Sequence, residues 1–134
     1  MRKGLVAALL LMCLALTACG AKPGGGAKVL LDGAEWDKTP LSPEVTSPRV
    51  YITLDGKDLI DLPFTEPRDV TILQNDGAEN AVKITGEAVY MDHANCENQD
   101  CVNMGQVTLD NLEMRVMGGF VICLPHKISV EVRE

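Results

Sequence analysis

The chain has 134 residues, 46% of them hydrophobic, and a formal net charge of -7 at neutral pH. That length suits one domain with a small core and leaves no room for two. Acidic residues outnumber basic ones 19 to 12 and no Lys/Arg cluster is apparent, so the surface repels phosphates and a nucleic-acid partner is not expected.

The first element is a charged start, Arg2-Lys3, followed by an apolar run from Leu5 to Leu16 and the tetrad Leu16-Thr17-Ala18-Cys19. The run is too short to span a bilayer but suits a secretory signal ending in small residues before a cysteine. The tetrad resembles a bacterial lipobox, which implies a signal peptide over residues 1–18, cleavage before Cys19 and diacylation of the Cys19 sulfur. Each acyl methylene buried in lipid contributes about 0.8 kcal/mol, and two or more chains make the anchor durable. A membrane-anchored lipoprotein on the extracytoplasmic face is therefore expected, and loss of Arg2 and Lys3 with the signal makes the mature chain still more acidic.

Residues 19–48 read as tether and spacer. Gly20 to Ala27 is glycine-rich with no apolar period, a leash reaching at most roughly 30 Å. Val29 to Leu31 is a short apolar island, and Trp36 to Pro48 carries three prolines among Ser and Thr, as an extended spacer does. Trp36 is expected to cap its own domain.

From Arg49 to Glu134 the pattern is that of a β domain. Val50, Ile52 and Leu54 alternate with polar or amphipathic residues, and Asp55-Gly56 supplies the positive φ of a two-residue hairpin before Lys57 to Leu62. Asp69 to Leu73 and Ala81 to Ile84 form a second hairpin across Asn75-Asp76-Gly77, and Glu87 to Met91 extends it. Gln106 to Leu109 and Glu113 to Met117 read as weaker strands, the latter turning through Gly118-Gly119 into Phe120 to Cys123. In the last strand Ile128, Val130 and Val132 alternate with Lys127, Ser129, Glu131 and Arg133, giving one core face and one wet face. About eight short strands with regular turns predict an all-β fold, a small compact sandwich or barrel. Asp100 to Met104 before Gly105 predicts one helical turn.

With Cys13 in the signal and Cys19 lipidated, three thiols remain, at Cys96, Cys101 and Cys123. Cys96 and Cys101 flank a polar loop, Cys123 ends a strand, and the fold is expected to gather them with His93 and His126 at one end. The stretches Arg49 to Gly56, Cys96-Glu-Asn-Gln-Asp-Cys101-Val-Asn-Met-Gly105 and Val121-Ile-Cys123-Leu-Pro-His126 closely resemble the NusG domain II family of small membrane-anchored bacterial surface proteins. Two departures stand out: Glu97 occupies a position where the family commonly has Pro, and His126 one where it often has Asn. The resemblance implies a small β domain without implying transcription. It also implies a membrane or surface protein partner, since members look like companions of flavin-dependent extracellular electron-transfer systems.

Three readings of the thiols stay open. A structural disulfide among Cys96, Cys101 and Cys123 would add about 2 to 4 kcal/mol to a small secreted domain. Redox exchange needs a thiolate, which Glu97 and Asp100 disfavour. A metal set of Cys96, Cys101, Cys123 and His126 suits zinc, and a copper variant draws on Met91, Met104, Met114 and Met117. No hydrolase constellation and no phosphate cradle is present. The expectation is thus a non-enzymatic accessory or binding subunit with no resident cofactor, in an assembly linked to extracellular electron transfer; the alternative is a thiol or metal redox protein.

Overall fold

The computed structural model describes residues 26–38 and 48–134. The signal, Cys19, most of the glycine leash and the proline-rich spacer over 39–47 lie outside the described residues.

Nine strands are described: β1 Ala27–Leu31, β2 Ala34–Glu35, β3 Arg49–Leu54, β4 Lys57–Pro63, β5 Arg68–Gln74, β6 Glu79–Ile84, β7 Val89–Ala94, β8 Phe120–Cys123 and β9 Ile128–Arg133. One short helix, α1, covers Asp100–Asn103. The strands form two antiparallel sheets, ordered β2-β1-β5-β6-β7 and β4-β3-β9-β8. No helix among the described residues is long and apolar enough to cross a membrane.

Period-two alternation decides which residues face inward. Val50 and Ile52 of β3 stand opposite Val132 and Val130 of β9, while Val70 and Ile72 of β5 stand opposite Val82 and Asn80 of β6. All eight are buried, and their apolar members join Leu62, Phe64, Ile84, Met91 and Ile128 in one cluster fed by both sheets. Full burial of each large side chain is worth about 1.5–3 kcal/mol, so the two-sheet arrangement follows from the pattern. The hairpin at Asp55-Gly56 forms as expected, with φ of 51° and 76°, the pair of positive values that a type I′ turn requires.

Three sequence expectations change. The domain begins before Arg49: β1, read above as the end of the leash plus an apolar island, pairs along its whole length with β5. Asp32 clamps the β1–β2 turn to β5, accepting from the Asp69 backbone N–H at 2.9 Å and from Arg68 Nη1 at 2.8 Å. Those two donors, the backbone amide first, hold the Asp32 carboxyl below its ordinary value. Trp36 packs against the core, and its backbone N–H donates to Val29 O.

Gln106 to Leu109 is the second correction. Only Val107 bridges, to Val89, and Leu109–Asn111 is a 3-10 turn whose Thr108 and Asn111 side chains close a capping box. Glu113 to Met117 is the third. Its backbone donates locally, Arg115 N to Asn111 O and Gly118 N to Arg115 O, so the segment coils instead of pairing. The Arg115 guanidinium holds this coil, donating to the carbonyls of Met104, Gln106, Gly118 and Phe120 at 2.9 to 3.3 Å.

Candidate functional site: three buried thiols at one end of the sandwich

The cysteine loop begins where β7 ends. Asn95 anchors it to the β5–β6 turn, accepting from Glu79 N at 2.8 Å and donating to Gly77 O at 2.9 Å. Gln99 adopts a left-handed conformation, φ 54°, which turns its side chain into the loop. There its amide donates to the carbonyls of Ala94 and Cys96, both at 2.6 Å, and reaches Cys96 Sγ at 3.8 Å. A non-glycine residue with φ in this region is uncommon, and two backbone carbonyls satisfied by one side chain offset its cost. α1 starts immediately after Gln99 and points Cys101 into the core.

Cys123 arrives from the other sheet as the last residue of β8. Gly119 lets that strand lie close against β9, since a Cβ there would stand 2.4 Å from Val132 O. Ile122 N donates to the Met104 thioether at 3.3 Å, tying β8 to the C-terminal end of α1.

The result is a convergence of Cys96, Cys101 and Cys123, whose Sγ atoms all lie within 4.8 Å of one another. Cys96 and Cys101 are 3.7 Å apart. The three are buried, 5%, 1% and 1% exposed. They are free thiols, so the expected disulfide is absent here: 3.7 Å is nonbonded contact, well beyond the about 2.05 Å of an S–S bond. Burial pushes the Cys101 thiol up to about 12, helped by hydrogen bonding with Cys123 and Cys96. That is opposite to the activation a nucleophilic thiol needs.

The histidines do not join them. His93 is exposed on β7. His126 turns away in the reversal after β8, where Lys127 takes φ 57° and donates its N–H to Leu124 O. Its Nδ1 lies 2.7 Å from Asn80 Oδ1, and its ring borders a different cavity of about 540 Å³ shared with Trp36 and Leu54. The four-ligand set of three cysteines and His126 is therefore not assembled: the tight turn sends the histidine to the other side of the strand end. Met91 is buried in the core, its Sδ accepting from Asn80 Nδ2.

What adjoins the thiols is apolar and sulfur-rich. A cavity of about 280 Å³ is lined by Cys101, Cys123, Met104, Met117, Ile122 and Leu124, with Asn98, Asp100 and Pro125 at its edge. Among the described residues, every exposed large hydrophobic lies between Leu109 and Leu124: Leu109, Met114, Val116, Met117 and Leu124. The sequence pattern places Leu109, Met114, Val116 and Met117 in strands, Met114 and Met117 also among copper donors, and Leu124 just past a strand end; their common exposure emerges from the structure.

The family described as NusG domain II matches residues 5–134, and the chain belongs to that family. Solved structures agree on the fold. The crystal structure of the Lin0431 protein from Listeria innocua is 25% identical with a TM-score of 0.55, covering 66% of this chain and 98% of that one. A DUF1312 family protein from Enterococcus faecalis, 18% identical with a TM-score of 0.56, covers 65% and 97%. The solution structure of Lin0431 gives 26% identity and a TM-score of 0.52 over 64% and 72% of the two chains. No curated protein matches.

Proposed function

We propose that this chain is a lipoprotein accessory subunit of a membrane-surface assembly, tethered outside the cytosol through acylated Cys19, whose β domain binds a membrane or surface protein in an assembly linked to extracellular electron transfer. The observation that carries the binding role is the set of exposed apolar side chains Leu109, Met114, Val116, Met117 and Leu124. Val116 is fully exposed, and Met114 and Leu124 are 79% and 78% exposed. Five large apolar side chains left exposed on one segment of so small a domain are what a contact face would supply. The lipobox-like Leu16-Thr17-Ala18-Cys19 supports the anchor.

The test has two arms in cells that make the full chain. Cys19→Ala is expected to abolish acylation and release the protein from membranes. Val116→Glu with Leu124→Glu is expected to leave acylation and folding intact while removing crosslinks to a membrane protein. A chain that remains unprocessed in the cytosol sinks the anchor, and undiminished crosslinking sinks the binding face. A second reading, thiol redox work by Cys96, Cys101 and Cys123, is favoured by their convergence and opposed by the suppressed Cys101 thiolate.

A further inference from the structure

We propose that Cys96, Cys101 and Cys123 form a sulfur-only, three-coordinate site for monovalent copper, independent of the partner and of the anchor. Three sulfurs at a metal–sulfur bond length of about 2.3 Å from one ion stand about 4.0 Å apart when the ion lies in their plane. The Cys96 and Cys101 sulfurs are 3.7 Å apart, and all three lie within 4.8 Å of one another. Small side-chain rotations close the set around one ion, whereas a disulfide requires one pair to collapse to about 2.05 Å and leaves the third thiol out.

The donor chemistry selects the ion. Among the described residues the group holds three cysteines and no histidine or carboxylate, and His126, which would complete a four-ligand zinc set, is engaged with Asn80. Structural zinc is almost always four-coordinate. The remaining neighbours of the cavity beside the thiols that can donate softly are the thioethers of Met104 and Met117. Thiolate and thioether donors favour soft ions, Cu(I) among them, and with the fourth zinc ligand engaged elsewhere the three-sulfur set suits a three-coordinate Cu(I). Met117, partly exposed, stands at the cavity wall and gives an incoming ion a first sulfur contact. Gln99 Nε2, whose two hydrogens serve the Ala94 and Cys96 carbonyls, fixes the backbone of the loop that presents Cys96 and so positions that sulfur. Loading is a proton exchange: three S–Cu bonds form, three S–H protons leave to solvent, and the copper stays monovalent throughout.

The test uses the full chain carrying Cys13→Ser and Cys19→Ser in detergent, reduced and anaerobic, titrated with Cu(I) against the chromophoric chelator bicinchoninate. One copper per chain is expected to be withheld from the chelator, and X-ray absorption is expected to show a first shell of three sulfurs and no nitrogen. Further replacement of Cys96, Cys101 and Cys123 by serine is expected to abolish retention, with circular dichroism checking that the fold survives. The absorption measurement needs none of those replacements, so a variant that fails to fold leaves the question decided. Loss of all copper to the chelator, nitrogen in the first shell, or tighter retention of Zn(II) than of Cu(I) would each overturn the assignment.

Discussion

Nδ1 of His126 donates to Oδ1 of Asn80 across 2.7 Å, joining the turn after β8 to the start of β6 in the opposite sheet. The direction of that bond is set by Asn80's other arm. Its Nδ2 points at Met91 Sδ, 3.6 Å away, and a thioether can only accept. Oδ1 therefore faces the imidazole and Nδ1 carries the proton. Asn80 is the one buried polar residue among the described residues, and the bond crosses between the sheets near the strand end that presents Cys123.

Asn80→Ala removes both contacts and opens a small void. A buried hydrogen bond lost with one partner left behind costs about 1–3 kcal/mol, so the urea midpoint is expected to fall by a corresponding amount. Nitrogen NMR of His126 should also show the Nδ1–H tautomer in the parent protein and lose that preference in the variant. An unchanged midpoint together with an Nε2–H tautomer would contradict the assignment.

Arg115→Gln tests what holds the coil between α1 and β8. The guanidinium serves four carbonyls, and a hydrogen bond to a charged group is worth about 1.5–3 kcal/mol where it is shielded. Arg115 is only half-buried, so a loss of about 2 kcal/mol is expected for the whole group. Amide exchange should speed up over 104–120 while β5 and β6 stay protected. Uniform acceleration across the chain would instead indicate global destabilisation.

The metal-free protein should lose stability in alkali. Cys101 has a raised pKa in the folded chain, so its contribution is fully present below the unfolded thiol's pKa and is lost as pH rises toward about 12. Denaturation midpoints measured from pH 8 upward, with reductant present, are expected to decline from about pH 9. Cys101→Ser, which does not titrate there, should flatten the decline. An identical slope in the variant would assign the effect to other groups.

Much of this architecture is legible in the chain because alternation and turn chemistry agree. At Val50 to Leu62 the inward residues, the Asp55-Gly56 turn and the return strand all point one way, and at Ile128 to Arg133 the two faces differ in every residue. β1 escaped because a five-residue strand beside a glycine run has too few alternations to distinguish it from a leash; its partner, β5, lies far along the chain. The stretch from Gln106 to Met117 misled for the opposite reason. Val107, Thr108 and Val116 favour strands, but the Arg115 side chain draws the Gln106 carbonyl together with those of Met104, Gly118 and Phe120 and curls the segment on itself, and no spacing rule exposes that contact.

The site was half legible. That the loop cysteines and Cys123 share one end followed from their places before and after the strands. That His126 leaves the group depends on a left-handed Lys127 and on a buried Asn80 in another sheet, both tertiary facts. The apolar surface from Leu109 to Leu124 became visible only once those residues were seen to lie outside the sheets.

Cys96, Cys101 and Cys123 behave as one buried unit, and timed alkylation followed by intact mass tests this most directly. In the reduced full chain with Cys13→Ser and Cys19→Ser, the folded protein at neutral pH should carry no label, and all three cysteines should be modified together as the domain opens. A folded population bearing a single modified cysteine, or one cysteine reacting as fast as a free thiol, would contradict it.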